Sequence, residues 1–136
     1  MSQEKAREII AQARYCTMAT SVAGQPRVRP MKFVVTEDFK FWASTVDVSG
    51  KVSELQANPK VELDWVTPEG TELRVQGTAD ISGGREKKRK LFELHPGMRG
   101  LFADEDDPKL VHIEVVPVHA RWKTRGFHDY EDIPLH

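Results

Sequence analysis

Hydrophobic and polar positions change rhythm several times along the chain, and each rhythm predicts an element. Ala6, Ile9, Ile10 and Ala13 fall at i, i+3, i+4 and i+7, the stripe of an amphipathic helix over residues 2–14, with Ser2 placed to cap it. Residues 15–23 are rich in Thr, Val and aromatic or thioether side chains and end at Gly24-Gln25-Pro26, which predicts a strand and a turn. A strand over 27–35, a turn at Thr36-Glu37-Asp38 and a returning strand over 40–45 follow. Asn58-Pro59 must stop a helix that begins near Lys51, with Ser49 as its cap. Val61, Leu63 and Trp65 mark the next strand, Thr67-Pro68-Glu69-Gly70 a turn, and residues 71–81 a long strand with Gly77 as a bulge position. Gly83-Gly84 opens a charged helix to about His95, and an acidic loop covers 104–108. From Leu110 to Lys123, Leu110, His112 and Glu114 alternate with Val111, Ile113 and Val115 as a final strand; the last dozen residues carry no assignable pattern.

Six strands joined mostly by short turns, with three helices, predict a mainly β, antiparallel barrel with peripheral helices. With 136 residues the chain is long enough for one domain, residues 1–136, with its core over about 9–123. Twenty basic against twenty-one acidic side chains leave no surplus for a polyphosphate, so no nucleic-acid partner is expected. A single cysteine excludes a disulfide framework and any multi-cysteine metal site. No stretch approaches a membrane span and none resembles a secretory signal, so a soluble, cytoplasmic protein without a membrane partner is expected.

The chemistry concentrates between Arg27 and Lys51. Arg27, Arg29, Met31 and Phe33 share one face of their strand, while Val28, Pro30, Lys32 and Val34 share the other. A cation beside Met31 and Phe33 calls for an anion: either a carboxylate of the chain or a ligand, unless Arg29 snorkels at the barrel rim. Ser44, Thr45, Ser49 and Gly50 then lead into a helix whose first turn carries Lys51. A helix start presents free N–H groups and partial positive charge to a phosphate dianion. Simple capping by Ser49 with a solvated Lys51 fits the same residues, and both readings stay open on spacing alone.

The run Gly24-Gln25-Pro26-Arg27-Val28-Arg29-Pro30-Met31, then Phe41-Trp42-Ala43-Ser44-Thr45 and Ser49-Gly50-Lys51, resembles the pyridoxamine-phosphate-oxidase-like FMN-binding split barrels. Asn58-Pro59-Lys60-Val61-Glu62-Leu63, Leu73-Arg74-Val75-Gln76-Gly77-Thr78-Ala79 and Glu114-Val115-Val116-Pro117-Val118-His119-Ala120-Arg121-Trp122 continue the resemblance, which spans residues 9–122. In length and motif it is nearest the general-stress and nitroimidazole-resistance-like branch. The resemblance implies a six-stranded split barrel and a homodimer with FMN between the subunits. Arg29 and Lys51 would clamp the cofactor's phosphate, with Ser49, Gly50 and Thr45 beside it. The backbone from Pro30 through Met31 and Lys32 to Phe33, and from Ala43 through Ser44 to Thr45, would line the flavin ring. Glu72 stands where relatives have a Gln reaching the flavin, and a carboxylate there would disfavour the reduced anion. The C-terminal substrate-binding extension of the true oxidases has no counterpart here, so a different small-molecule substrate is implied.

The remaining candidates have plainer readings. His112 and Glu114 share a strand face, as a surface pair or, less economically, a metal edge; no metal is expected. His119 or His128 would serve as axial ligand if the barrel held haem, as some relatives do. Cys16 reads as a small buried hydrophobe and the basic run 85–90 as a solvated helix face, with Leu91, Phe92 and Leu94 inward. Trp42, Trp65 and Trp122 suit core or interface packing, and Trp122 could also flank a flavin. No side chain stands out as a catalytic acid or base. The expected activity is therefore FMN-dependent oxidoreduction of a small molecule, the alternative being a flavin-holding stress or sensor module without turnover.

Overall fold

The computed structural model describes residues 3–136, so the Ser2 cap lies outside the described residues. Helix α1 (Glu4–Gln12) buries Ala6 and Ile9 against the sheet. Strands β1 (Cys16–Val22) and β2 (Gln25–Met31) form a hairpin. Its turn is Ala23-Gly24, at φ 52° and 79°, instead of the expected Gly24-Gln25-Pro26. Two left-handed residues give the turn whose twist matches that of the flanking strands. Then come β3 (Val34–Val35), β4 (Phe41–Val46), α2 (Gly50–Ala57), β5 (Lys60–Val66) and β6 (Glu72–Asp80). Helix α3 (Arg85–Leu94), a 3₁₀ turn (Pro96–Gly100), β7 (Leu110–Lys123) and β8 (Glu131–Ile133) complete the chain.

The strands pair antiparallel in the order β2-β1-β5-β6-β7-β4-β3, with β8 added to β7. The sheet wraps one core, while its end strands β2 and β3 are not bonded to each other, which makes the barrel a split one. Among the described residues there are eight strands where six were expected. The segment 27–35 breaks at Lys32-Phe33 because its two ends pair with different neighbours, β2 with β1 and β3 with β4. The tail supplies β8. Strand β7 is long because it serves three partners: 110–115 face β4, 114–123 face β6, and 120–122 face β8. The register slips at Gln76-Gly77 as expected, but the extra residue is Val118 on β7: Gln76 faces His119 and Gly77 faces Pro117. A Cβ on Gly77 would stand 2.5 Å from Val115 Cγ1 and 2.7 Å from the Val116 carbonyl, so only glycine fits that crossing.

Alternation along the strands fills the barrel with Met18, Phe41, Leu63, Trp65, Leu73, Val75, Ile113 and Val115, all buried. Each such side chain contributes roughly 1.5–3 kcal/mol on burial. Helix α2 packs against β1 and β4 and adds Leu55 to the core. A second cluster, Trp42, Leu91, Phe92, Met98, Phe102 and Leu110, forms where α3 covers the outer side of β4 and β7. Leu94, expected inward, is 39% exposed. No described helix is long and apolar enough to cross a membrane.

Candidate functional site

The face of β2 that carries Arg29 turns toward α2, and Thr20 on β1 turns the same way. Arg29 Nη1 donates to Thr20 Oγ1 at 2.9 Å and to the Met18 carbonyl at 3.3 Å, and its Nη2 donates to the Glu54 carboxylate on α2. Thr20 Oγ1 donates to Glu54 Oε1 at 2.8 Å, and Arg27 Nε lies 3.6 Å from Glu54 Oε2. The Arg29 and Glu54 side chains are only 17% and 16% exposed. Burial pushes the Glu54 carboxyl up, but hydrogen bonds from Thr20 and Arg29 and the charges of both arginines outweigh it and hold the group below its ordinary range. Of the readings open for Arg29, pairing with a carboxylate of the chain is what the structure shows.

Glu54 also reaches back toward the start of its helix: a Cβ built on Gly50 would stand 3.7 Å from Glu54 Oε2. Ser49 occupies the N-cap position with extended backbone, yet its side chain makes no capping bond. Its hydroxyl shares a 3.1 Å hydrogen bond with Thr45 Oγ1. The expected capping by Ser49 is therefore replaced by a hydroxyl pair, which leaves the helix start without a side-chain acceptor. Lys51, in the first turn, has no hydrogen bond or ion pair among the described residues. It sits three residues before Glu54, on the same side of the helix.

Arg29 thus reaches α2 through Glu54, Thr45 reaches Ser49 just before the helix, and Gly50 and Lys51 lie in its first turn, with no hydrogen bond or ion pair joining Lys51 to Arg29 among the described residues. Met31 is buried in the barrel, and Lys32 points the opposite way from Arg29, donating to the Arg14 carbonyl at 3.4 Å. Pro30 faces Thr17 across the hairpin, and half-buried Ser44 faces His112. Glu72 and Trp122 share no contact with the cradle among the described residues. Glu72 accepts from Tyr130 Oη at 2.6 Å and lies 3.3 Å from Arg74 Nε. Beside it, burial, a hydrogen bond with Glu72 and the charges of Glu72 and Glu62 push Asp64 up to about 7. The adjoining Asp64 carboxyl and then the Tyr130 hydrogen bond draw Glu72 below its ordinary range against burial. Trp122 faces Leu73, carries the Lys5 ammonium 4.7 Å above its ring, and buries an Nε1 that has no partner.

His112 is not half of a surface pair. It is fully buried under α3, 4.6 Å from the Trp42 ring and against Gly83, with neither ring nitrogen bonded. Burial and the charge of Lys87 push it down to about 4. Glu114 instead accepts from Trp42 Nε1 at 2.8 Å and from Lys87 at 3.1 Å. His119 bonds Asp132, and His128 bonds the Arg125 carbonyl, each at 2.8 Å on the surface. Cys16 is buried and its thiol is pushed up to about 12 by that burial and by Asp64, as suits an inert core position. A groove of about 600 Å³ opens beside the cradle, walled in part by Thr20, Ser21, Asn58, Lys60, Gln76 and Val118.

Sequence reasoning missed Glu54. Its place three residues beyond Lys51 on a helix was a legible signal; that it would meet two arginines of β2 was not. Tyr130, lying in the unpatterned tail, gave no signal.

The unpaired ends of the antiparallel sheet, β2 and β3, place this molecule among the antiparallel split barrels. Sequence and structure comparisons agree on where within that class it falls. The chain belongs to the pyridoxamine 5'-phosphate oxidase family, whose sequence model matches residues 2–122. No curated protein matches the chain. Among solved structures, a NimC/NimA family protein from Clostridium acetobutylicum is 21% identical with a TM-score of 0.84, over 97% of this chain and 91% of the other. A pyridoxamine 5'-phosphate oxidase-related, FMN-binding protein from Nostoc punctiforme is 14% identical with a TM-score of 0.74, over 97% and 96%. A haem-binding protein from Mycobacterium smegmatis is 16% identical with a TM-score of 0.78, over 99% of this chain and 58% of that one. At these identities the likeness establishes the fold.

Proposed function

We propose that this protein is an FMN-binding flavoprotein that acts as an oxidoreductase on a small molecule, as a cytoplasmic homodimer with the cofactor at the subunit interface. One observation carries the reading: the cradle at the start of α2 already holds an anion, the Glu54 carboxylate, as a stand-in between Arg27, Arg29 and Thr20. Two cations, Arg27 and Arg29, face that single carboxylate, and Lys51 in the first turn of α2 adds a further positive charge with no ion pair among the described residues, a balance that suits a phosphate monoester dianion. The uncapped first turn of α2 adds N–H donors of the kind phosphate takes.

Arg29 and Lys51 would hold the phosphate, and the Thr45–Ser49 hydroxyl pair would turn toward it. The backbone around Pro30, Met31, Lys32, Ser44 and Thr45 would line the ring. Glu72 and Trp122 lie away from the cradle in one chain and would reach a cofactor only across the dimer interface. The flavin would supply hydride and electron transfer, the chemistry that no side chain of the cradle offers. The surface hydrogen bonds of His119 and His128 and the covered His112 favour flavin over haem.

Lys51→Ala tests the reading, because it breaks no side-chain hydrogen bond or ion pair within the described residues. Titration of FMN, followed by quenching of flavin fluorescence, should show affinity about tenfold weaker than in the unaltered protein, and Lys51→Ala with Arg29→Ala at least about 100-fold weaker. Unaltered affinity in the double variant rejects the phosphate assignment. Bleaching of the bound flavin's visible band by a reduced nicotinamide separates an oxidoreductase from a flavin-holding module.

A further inference from the structure

Glu54 occupies the position that an incoming anion needs. Its Oε1 takes the Thr20 hydroxyl and Arg29 Nη2, while its Oε2 faces Arg27 Nε at 3.6 Å and lies close to Gly50, the first residue of α2. Arg29 spends its remaining bonds on the chain itself: Nη1 serves Thr20 and the Met18 carbonyl. A ligand arriving at α2 therefore meets a cation already committed, with Lys51 the neighbouring cation that has no partner among the described residues.

We propose that Glu54 is an internal counter-anion that occupies Arg29 while the cradle is empty and sets its selectivity, admitting phosphate monoester dianions and excluding monoanions and uncharged alcohols. The inference rests on the cradle being a phosphate site, as argued above, and adds the residue that decides which ligands enter it. The chemistry behind it is competition at one guanidinium. A monoanion offers Arg29 no more charge than Glu54 does, and it must also overcome repulsion from a carboxylate that stays close by. A dianion brings twice the charge and three acceptor oxygens, so it can engage Arg29, Lys51 and the α2 N–H groups together. Thr20, itself buried, holds Glu54 in place from the β1 side.

Glu54→Gln keeps the side chain's length and removes its charge. Binding is read by calorimetry and by the rise in melting temperature, with inorganic phosphate and nitrate as probes and no flavin present. The expected result is phosphate affinity about tenfold tighter than in the unaltered protein, with phosphate-over-nitrate discrimination reduced by a similar factor. The unliganded variant should melt lower, because Arg29 has lost its partner, and phosphate should restore most of that loss. Glu54→Asp, which keeps the charge but draws the carboxylate back by one methylene, guards against a misfolded Gln variant and should show a smaller gain in phosphate affinity. Equal or weaker phosphate binding in both variants overturns the inference, since Glu54 would then orient Arg29 and not compete for it. A parallel titration with FMN and riboflavin separates this inference from the flavin reading. A Glu54 effect on phosphate without any FMN binding sinks the flavin reading alone, whereas FMN binding that ignores Glu54→Gln sinks the counter-anion alone.

Discussion

Glu54 on α2 and Glu72 on β6 are held in the same way, each by one arginine and one hydroxyl, yet they end in opposite electrostatic settings. Glu54 has Arg29 and the Thr20 hydroxyl, and its next neighbour is another cation, Arg27. Glu72 has Arg74 and the Tyr130 hydroxyl, but its next neighbour is Asp64, with Glu62 behind. At the first site positive charge is in surplus and favours the ionised carboxylate. At the second, negative charge is in surplus around Arg74, and burial with the neighbouring carboxylates raises the affinity of Asp64 for a proton. Residue type does not separate the two; the count of neighbouring charges does. The tail reinforces the second site, because the Tyr130 ring lies 4.4 Å below Arg121 and 5.7 Å from both Arg74 and Lys123.

The largest effect that can break this comparison is loss of the arginines. Arg29→Ala leaves a mostly buried Glu54 with the Thr20 hydroxyl and, as the remaining ion-pair partner among the described residues, the exposed Arg27, and should lower stability by about 3 kcal/mol in urea unfolding. Arg74, 40% exposed, faces carboxylates that can share a proton, so Arg74→Ala should cost under about 1 kcal/mol. Equal losses would mean that the two sites do not differ in the way described.

A smaller effect comes from pH. Asp64 binds its proton more tightly in the folded chain, about 7 against 3.8, so its contribution is full below pH 3.8 and is lost as pH rises through 7. Glu72, held low, opposes this in part: its contribution is present above the ordinary carboxylate range and is lost on acidification. With the Asp64 side chain 33% exposed, the net loss between pH 5 and pH 8 should be about 1–2 kcal/mol. Asp64→Asn should flatten that slope, and urea midpoints at the two pH values measure it; a slope unchanged by the substitution would dismiss the shared proton.

The smallest effect isolates the hydroxyl. Tyr130→Phe keeps the ring under its three cations and removes only the bond to Glu72, costing about 0.5–1 kcal/mol. NMR titration of the Glu72 carboxyl should then move up toward its ordinary range. An unmoved titration would show that Asp64 alone sets Glu72.

Much of the fold was legible from periodicity. The strand Leu110–Lys123 lies where alternation placed it, and α2 ends where Asn58-Pro59 required. The face of β2 was legible too, since Arg29 and Met31 do turn inward. What periodicity could not supply was the identity of the neighbour. It put Ser49 at the head of α2, but the hydroxyl found Thr45 as a nearer partner. It put His112 on a face shared with Glu114, but α3, arriving from elsewhere in the chain, covers that face and turns an apparent surface histidine into a buried one. Gly77 marked the bulge correctly, while the surplus residue lay on the strand across from it.

By itself the sequence determined which residues share a strand face or a helix side, where chain-breaking residues end each element, and that cations and hydroxyls cluster before α2. These follow from bond geometry and from propensities acting within a few residues. Only the tertiary structure decided that Glu54 answers Arg29 across 25 positions and that Tyr130 answers Glu72 across 58. Charge interactions depend on distance through space and on burial, and neither quantity exists until the sheet has closed around its core.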